Sequence, residues 1–478
     1  MAKEFIGKHW TKISACWISF LEDPREKVKV LFKSGWILEN SMKALKTDIL
    51  KKINNNTVLV GILGLGYVGL PLAITFARKG IQVLGFDKSE EKLTKLETGQ
   101  NYISDVDDAD FEMVSESRKF SATADFSRIK ECDAVIICVP TPLDKFKKPD
   151  MSYIENACIE IGRNMKKGTF ISLESTTYPT TTEGFMLPIL EKESGMKAGG
   201  DFWLCYSPER VDPGNKEYKT ENTPKVVGGL GEDAQEIAMY LYGKAISHLH
   251  AVSSPKIAEM VKILENTYRL VNISLVNELA LLSGKMGINI WEVIDAAATK
   301  PYGFQAFYPG PGIGGHCIPL DPFYLEHIAK NFNFDLTMIH TAGHIENLMA
   351  HRMTIKINSA LNRQQKPIHG SKILFLGVAY KPDIEDERES PALKIMDEVV
   401  KKKGEVMYHD PFIPEVTTDE GRRFESVELT DALLKTVDCV VFTTNHGSFD
   451  GEDIAKKAQL TVDLRNMVKV ATDKVYKL

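Results

Sequence analysis

The sequence lacks any hydrophobic run long enough to cross a bilayer, and it lacks a convincing cleavable signal sequence. It also has no large excess of charge, because 59 Lys and Arg residues oppose 65 Asp and Glu residues, for a net charge of −6. These absences argue against a membrane protein and give no reason to predict nucleic acid as a partner. An anionic substrate would therefore need a local basic site.

Cysteine is sparse and shows no pairing pattern. The chain has seven cysteines, an odd number, and no CxxC pair. We therefore predict neither a disulfide framework nor a metal site. A reducing cytoplasm is the compartment that this pattern favours.

A glycine motif follows the first predicted strand. This strand, Val58–Leu63, runs into Gly64-Leu65-Gly66-Tyr67-Val68-Gly69, and a second strand, Ile81–Phe86, ends at Asp87. The glycines allow a tight turn and a close approach of the backbone to a pyrophosphate at a helix N-terminus. Asp87 is placed to accept a hydrogen bond from a ribose hydroxyl and to repel a 2′-phosphate. This order of elements predicts a Rossmann domain that binds NAD in preference to NADP.

Three further strands continue the α/β pattern and end in polar residues. They are predicted at Ala134–Val139, Thr169–Leu173 and Phe202–Tyr206. Because ligands of open parallel sheets bind beyond the carboxyl ends of the strands, Thr141, Thr176 and Glu209 are candidate site residues. A helix cap or a surface turn is the alternative interpretation for each.

A long helix is predicted at Pro255–Gly287, with Lys262 and Asn266 on one face. It is apolar over much of its circumference, which indicates burial between domains or subunits. The α/β pattern then resumes in four strands: Ile373–Val378, Val406–His409, Cys439–Thr443 and Leu460–Asp463. This second unit has no GxGxxG motif, so we do not expect it to bind a dinucleotide in the same way.

Three basic residues, Lys381, Arg388 and Arg465, accompany the strands of this second unit. Each is a candidate for contact with a phosphate. Solvation at the surface is the alternative for all three.

The segment Gly310–Asp321 contains four glycines and two prolines in twelve residues. Such a run lets backbone N–H groups come close to a ligand. A helix opening at Ile318 would place Cys317 at its N-terminal end, where the helix dipole favours a thiolate. Asp321 would lie about one turn further on, facing the same side. A lone cysteine is more often an inert hydrophobe, so the loop by itself leaves both interpretations open.

Taken together, these motifs resemble the UDP-glucose/GDP-mannose dehydrogenase family over nearly all of the chain from about residue 50. The matching stretches are Gly64–Gly69, Val139-Pro140-Thr141-Pro142, Ser175-Thr176, Ser207-Pro208-Glu209, Lys262 with Asn266, Gly314-Gly315-His316-Cys317, Asp321 and Arg388-Glu389-Ser390. Within the family, the sequence is most similar to the bacterial and archaeal UDP-N-acetylhexosamine 6-dehydrogenases.

The resemblance implies a four-electron oxidation of a sugar C6 alcohol to a carboxylate with two NAD⁺. Cys317 would form a thiohemiacetal and then a thioester, while Lys262 and Asn266 would stabilise the alkoxide. Asp321 and Thr176 would order the water that removes the first proton, and Glu209 or Asp321 would assist hydrolysis.

The resemblance also implies two sets of binding residues. The cofactor contacts are Gly64, Gly66, Tyr67, Val68, Gly69, Asp87, Lys92, Val139, Thr141, Ser175, Thr176 and Arg388. The substrate contacts are Glu209, Arg210, Lys262, Asn266, Tyr308, Gly312, Gly314, Lys381 and Arg465.

Three other functions compete with this prediction. A two-electron β-hydroxyacid dehydrogenase would lack the cysteine loop and the second α/β unit. A catalytically silent nucleotide-sugar-binding protein is disfavoured because Cys317, Lys262 and Asp321 are all present. The sugar itself is open: UDP-GlcNAc is the first choice, and UDP-GalNAc, UDP-ManNAc and UDP-glucose are the alternatives.

The predicted fold is α/β, with two Rossmann-like, doubly wound domains joined by a long central helix. We predict four regions: an N-terminal appendage of no assigned role (1–41), an NAD-binding domain (42–250), a helical dimerisation region with the cysteine loop (251–345) and a UDP-sugar-binding domain (346–478). The protein is expected to be a cytoplasmic homodimer or higher oligomer. By family analogy, its UDP-hexosaminuronic acid product would feed surface polysaccharide synthesis.

Overall fold

A computed structural model describes residues 42–103, 105–143, 148–212, 214–215, 217–315 and 317–478. The predicted N-terminal appendage and His316 lie outside the described residues.

The N-terminal domain is built on a mixed eight-stranded sheet. Its strands are β1 (Leu59–Leu63), β2 (Gln82–Phe86), β3 (Phe120–Thr123), β4 (Ala134–Ile137), β5 (Thr169–Leu173), β6 (Phe202–Tyr206), β7 (Lys225–Gly229) and β8 (Leu249–Val252). They are ordered β3-β2-β1-β4-β5-β6-β7-β8, and β7 runs antiparallel to β6 while the other pairs are parallel. Its helices are α1 (42–54), α2 (Gly69–Arg78), α3 (Glu90–Glu97), α4 (Asp108–Ser117), α5 (Ser152–Asn164), α6 (Leu187–Ser194) and α7 (Glu232–Tyr242).

Both faces of this sheet are covered, which explains why its central strands are continuously apolar. Val60 and Ile62 of β1 point into a core shared with α1, α2, α4 and α7. Leu63 points into the opposite core, shared with α5 and α6. The five strands predicted in this domain are confirmed to within two residues. The three that were not predicted include β3 and β8, which carry exposed residues and so lack the apolar signal.

The middle of the chain is helical, with α8 (Pro255–Met286), α9 (Ile290–Ala298), α10 (Asp321–Ala329) and α11 (Thr337–Arg363). The long predicted helix is confirmed: α8 has 32 residues and ends at Gly287, whose φ of 72° is the left-handed conformation that glycine favours. Helix α11 packs along α8. The domain boundary predicted at residues 345/346 lies inside α11.

The C-terminal domain has a five-stranded sheet in the order β10-β9-β13-β14-β15, with all neighbours parallel. The strands are β9 (Lys372–Leu376), β10 (Glu405–His409), β13 (Cys439–Phe442), β14 (Thr461–Asp463) and β15 (Val475–Lys477), and a hairpin is formed by β11 (Glu415–Thr417) and β12 (Arg423–Glu425). The helices are α12 (Pro391–Lys401), α13 (Asp431–Thr436) and α14 (Gly451–Lys457).

The core of the C-terminal domain is continuous with the central helices. Met349 and Ile357 of α11 and Trp291 of α9 pack into the same buried cluster as Ile373 and Phe375 of β9. The predicted pair of α/β domains around a long helix is thereby confirmed. Among the described residues, no helix combines the length and the apolarity that a membrane span requires.

Candidate active site

The glycine loop after β1 is shaped by two tight contacts and one opening. Gly64 has φ of 91°, and a Cβ there would lie 2.6 Å from the carbonyl oxygen of Cys138. A Cβ at Gly69 would collide with the carbonyl oxygen of Gly64, whereas one at Gly66 would meet no atom within 4 Å. The outer glycines therefore close the turn, and the middle one leaves room at the N-terminus of α2. This geometry fits a dinucleotide pyrophosphate.

Asp87 lies beside this loop at the end of β2. Its carboxylate accepts hydrogen bonds from the amides of Leu65 at 3.0 Å and Ser89 at 2.9 Å, and from Lys92 Nζ at 3.2 Å. Burial disfavours the charge, but these donors outweigh that cost and lower the pKa of Asp87 below its ordinary value. A carboxylate held ionised at this position fits a ribose diol and repels a 2′-phosphate.

The loops after β4 and β5 are tied to each other and to α10. Ser175 Oγ donates to the carbonyl oxygen of Val139 at 2.7 Å. The hydroxyl of Tyr324, on α10, donates to the carbonyl oxygen of Thr141. Thr176 is half-buried next to Ser175. Four residues predicted to contact the cofactor are thus grouped at the carboxyl edge of the sheet, where α10 closes over them.

A cluster of polar residues surrounds Cys317. Asp321 begins α10, and its Oδ2 accepts a hydrogen bond from Asn266 Nδ2 of α8 at 2.5 Å. Lys262, one turn earlier on α8, is buried and close enough to influence the protonation of both Asp321 and Cys317. The predicted pairing of Lys262 and Asn266 on one helix face is confirmed, and this face points at the cysteine loop.

The predicted helix start at Ile318, which would have placed Cys317 at a helix N-terminus, is wrong. Helix α10 begins at Asp321 rather than at Ile318, and Cys317 precedes it in a turn whose amides, from Leu320 and Asp321, bond to the Cys317 carbonyl oxygen. The residue is exposed to the cleft, but the surrounding protein removes much of the hydration of its sulfur. Desolvation and then Asp321 raise the pKa of the thiol to about 11, against the opposing effect of Lys262. The thiol is therefore protonated at neutral pH.

Among the residues around Cys317, Asp321 is the best suited to accept a proton near neutral pH. It is 3% exposed. Burial raises the pKa of its carboxyl to about 7, although Lys262 and Asn266 both favour the ionised form. A carboxyl that titrates near the working pH suits general acid–base catalysis.

The glycine run before Cys317 packs against protein. A Cβ at Gly314 would lie 2.7 Å from Cβ of Tyr380, and one at Gly315 would lie 2.8 Å from the ring of the same tyrosine. The amide of Gly315 donates to the carbonyl oxygen of Arg388 at 2.9 Å. These glycines let the cysteine loop lie directly on the C-terminal domain, a role that differs from the ligand approach predicted from the sequence.

Two of the predicted basic residues connect the domains. The Arg388 guanidinium lies 5.0 Å from the ring centroid of Tyr67 in the dinucleotide loop, and it also pairs with Asp386 at 2.6 Å. Lys381 Nζ pairs with Asp212 of the N-terminal domain at 2.7 Å. The structure thus brings Arg388 to the predicted cofactor loop.

Arg465 is the third predicted basic residue. Its guanidinium lies against Gly310, and its Nε donates to the carbonyl oxygen of Thr443 at 3.0 Å. Burial lowers the pKa of Arg465 to about 10, which still leaves it charged at neutral pH. No carboxylate in the described part of the chain forms an ion pair with it. A desolvated cation of this kind is suited to a phosphate.

Three further predicted substrate residues have partners within the protein. Glu209 Oε1 accepts hydrogen bonds from the amides of Arg210 and Val211, both at 2.7 Å. Arg210 pairs with Glu265 of α8 at 2.6 Å. The hydroxyl of Tyr308 donates to Asp295 at 2.8 Å, and its ring stacks on Trp291 of α9.

Sequence reasoning missed Asn277 and Glu346, which hold the cysteine loop. Asn277 is fully buried on α8; its Oδ1 accepts from the Gly310 amide at 2.9 Å, and its Nδ2 donates to Glu346 Oε1 at 2.9 Å. Glu346 Oε2 accepts from the Ile313 amide at 3.0 Å. Asn277 follows Asn266 by eleven residues, about three turns, so helical spacing is the signal that places it on the catalytic face.

The chain belongs to the UDP-glucose/GDP-mannose dehydrogenase family. Its NAD-binding domain model matches residues 58–246, its central domain model matches 256–347, and its UDP-binding domain model matches 374–470. The resemblance stated from the motifs is confirmed.

Relatives in this family oxidise acetamido sugars. The UDP-N-acetyl-D-glucosamine 6-dehydrogenase of Pseudomonas aeruginosa is 35% identical over 82% of this chain and 88% of its own. The structure of a UDP-D-ManNAc dehydrogenase from Pyrococcus horikoshii is 32% identical, with a TM-score of 0.80, over 88% of this chain and 99% of its own. That of an NDP-N-acetyl-D-galactosaminuronic acid dehydrogenase from Methanosarcina mazei is 31% identical, with a TM-score of 0.73, over 88% and 94%.

The chain is therefore an NAD-dependent nucleotide-sugar dehydrogenase, an oxidoreductase similar to the dehydrogenases of UDP-N-acetylhexosamines. The NAD-binding domain contains the glycine loop and Asp87, and the UDP-binding domain contains Arg465. Membership confirms the predicted cofactor and UDP-sugar class. The match to a UDP-binding domain disfavours the β-hydroxyacid dehydrogenase alternative.

Proposed function

We propose that the enzyme oxidises C6 of a UDP-N-acetylhexosamine, with UDP-GlcNAc as the preferred substrate, to the uronate through a thioester on Cys317. The convergence of Asp321, Asn266 and Lys262 beside Cys317 carries this proposal. These groups meet the needs of a four-electron oxidation at one carbon: an acid–base group, a cation for the alkoxide and a nucleophile for the aldehyde.

The first oxidation converts the C6 alcohol to an aldehyde. NAD bound at the glycine loop supplies the hydride acceptor for this and the later oxidation. Water ordered by Asp321 and Thr176 takes the hydroxyl proton, and Lys262 and Asn266 stabilise the oxygen as negative charge develops on it. Donors of this kind contribute about 3–4 kcal/mol each in a comparable oxyanion site.

The second oxidation requires a covalent step because an aldehyde does not readily give up hydride. The Cys317 sulfur bonds to C6, and the thiol proton passes through Asp321 to the aldehyde oxygen, giving a thiohemiacetal. Loss of hydride from carbon and of the hydroxyl proton gives the thioester. Water then breaks the C–S bond, with Glu209 or Asp321 as the base, and the thiol is regenerated.

The proposed substrate position places the diphosphate near Arg465. This guanidinium lies on Gly310, at the start of the segment that contains Cys317. Lys381 and Arg210 are proposed to border the site, along with Tyr308, Gly312 and Gly314. UDP-GlcNAc is kept as the first choice because a relative named for it is 35% identical to this chain, although a UDP-N-acetyl-D-mannosamine dehydrogenase is equally identical. The UDP-ManNAc and GalNAc-type relatives make those sugars the alternatives, and UDP-glucose is the least favoured.

The proposed function is tested by counting NADH formed per sugar with UDP-GlcNAc, UDP-GalNAc, UDP-ManNAc and UDP-glucose. We expect two NADH per sugar, and the highest kcat/KM with UDP-GlcNAc. A higher kcat/KM for another UDP-hexose would reassign the substrate. One NADH per sugar, with the aldehyde as the final product, would rule out the thioester route.

We further propose that α8 forms the centre of a homodimer. Its exposed large apolar residues fall on one face of the helix when spaced by 100° per residue: Ile257, Met260, Leu264, Tyr268, Leu275, Leu279, Leu282 and Met286. A contiguous apolar stripe along a helix of 32 residues is too long to be left in water. A second copy of the same helix offers the self-complementary face that a twofold interface needs.

Replacing Leu264 and Leu282 together by glutamate should convert the protein to a monomer. Both are exposed on the stripe, so the substitutions place four charges in the twofold interface and leave the monomer core unaltered. Sedimentation velocity measures the result, with Val470→Glu, an exposed apolar residue of the C-terminal domain, as the control. An unchanged sedimentation coefficient for the double variant would show that α8 does not form the dimer interface.

A further inference from the structure

A buried ion pair beneath the substrate loops has no role in the chemistry above. Glu174 is fully buried and Lys225 is 5% exposed. Lys225 Nζ lies 2.5 Å from Glu174 Oε2, and the Tyr242 hydroxyl donates to Glu174 Oε1 at 2.6 Å. Lys225 Nζ also donates to the carbonyl oxygen of Pro208 at 3.2 Å. The Lys225 ammonium thus links the start of β7 to Glu174, which follows β5, and to Pro208, which follows β6.

The strand order explains how Lys225 reaches the site edge. Because β7 runs antiparallel to β6, its first residue lies at the carboxyl end of β6. The register pairs Tyr206 with Gly228. When the same register is extended beyond these paired residues, Lys225 lies opposite Glu209. A parallel strand would instead have placed its first residue at the far edge of the sheet.

Both partners of Lys225 directly precede residues of the proposed chemistry. Glu174 is followed by Ser175 and Thr176, and Pro208 is followed by Glu209. The loops after β5 and β6 are therefore joined through one buried ammonium. Movement of either loop would break a hydrogen bond made by the buried ammonium of Lys225.

A gain in stability is a weak reason for a buried ion pair of this kind. Removing two charges from water is costly, and replacing a buried ion pair by apolar residues of similar volume is often neutral or stabilising. What the pair supplies is a fixed distance and direction between two loops, which an apolar pair does not define.

We propose that Glu174 and Lys225 are positioning residues that hold the Thr176 and Glu209 loops in register around the sugar C6. This inference rests on the proposed thioester route. Its consequence is specific: loss of the pair should free the Glu209 loop and slow thioester hydrolysis more than the two oxidations that precede it.

The test is the double variant Glu174→Leu/Lys225→Met, which replaces the pair by apolar side chains. We expect a thermal midpoint equal to or above that of the wild type and a kcat lower by about 10²-fold, the scale of a misplacement near 1 Å. Rapid mixing should show a burst of two NADH per active site and then slow turnover, with the KM for NAD unchanged. Mass spectrometry should detect the acylated Cys317 during the slow phase.

Two further variants serve as a control and as a fallback if the double variant does not fold. Lys52→Met removes an ion pair with Asp133, which precedes β4 at the opposite edge of the same sheet, and it should leave kcat unchanged. Lys225→Arg keeps the charge but alters the direction of the bond to Pro208, so it should show a weaker burst than the double variant. It also provides the measurement if the double variant does not fold.

The possible results separate a positioning role from the alternatives. If a folded double variant or Lys225→Arg has the kcat of the wild type and shows no burst, the positioning role is overturned. The thioester route still stands in that case, provided that the wild-type enzyme forms two NADH per sugar. Failure of the wild type to give two NADH per sugar with any UDP-hexose would instead refute the route itself. A fall in both kcat and thermal midpoint, without a burst, would make the pair purely structural.

Discussion

Replacing Cys317 by alanine should lower the rate of uronate formation by at least about 10³-fold and halve the NADH formed per sugar. On the proposed route, the first oxidation needs only Asp321, Thr176 and the Lys262–Asn266 pair, so one hydride would still leave the alcohol. Without the Cys317 sulfur, the site has lost the nucleophile that is proposed to convert the aldehyde to a tetrahedral intermediate. The variant is therefore expected to stop at one NADH per sugar, with the aldehyde detectable by trapping with a hydrazine.

The matched control is Cys439→Ala. Cys439 is fully buried in β13, and burial keeps its thiol neutral and away from substrate. This variant should retain two NADH per sugar. Two NADH per sugar from Cys317→Ala as well would show that sulfur is not the nucleophile.

Replacing Asp321 by asparagine should inactivate the enzyme and stabilise the fold above pH 7. The carboxyl is buried, and its pKa rises from an ordinary value of 3.8 to about 7 in the folded protein. Between these values the folded state holds a proton that the unfolded chain releases. Stability therefore falls as pH rises through this window, by about 1.4 kcal/mol per pH unit. Asparagine mimics the protonated form and removes this loss.

At pH 8, Asp321→Asn is expected to raise the free energy of unfolding by roughly 2–4 kcal/mol, while at pH 4 it should have little effect. Urea unfolding at the two pH values measures both. Asp133→Asn is the control of opposite sign, because Lys166 and the Leu59 amide outweigh burial and lower the pKa of Asp133. That variant should destabilise the fold at pH 8. Equal stability of Asp321→Asn and the wild type at pH 8 would contradict the raised pKa.

Much of the fold follows from patterns that depend on local physics alone. The central strands are buried on both faces, so they are apolar without interruption, and α8 is bounded by Pro255 and Gly287. Helix α11 was not singled out, although it has 27 residues. Its sequence mixes His, Asn and Thr with apolar residues because it is partly exposed, and this weakens the periodic signal.

The sequence identified most residues of the site, but it did not predict the pKa shifts of their side chains. Motif order identified Cys317, Asp321, Lys262 and Asn266, and the structure brings them together. The protonation of Cys317 could not be predicted, because it depends on desolvation by segments distant in sequence. The same is true of the glycines at 314 and 315, whose neighbour Tyr380 is more than sixty residues away.

The packing of the cysteine loop on Tyr380 bears on how one active site uses two cofactor molecules in succession. Gly314 and Gly315 attach the nucleophile to the C-terminal domain, whereas the dinucleotide loop belongs to the N-terminal domain and meets the other domain where Tyr67 contacts Arg388. On the proposed thioester route, a sugar attached to Cys317 would therefore be held by a loop that packs on the C-terminal domain. We expect that parting Tyr67 from Arg388 would let reduced cofactor leave and oxidised cofactor enter while the half-oxidised sugar stays bound to Cys317.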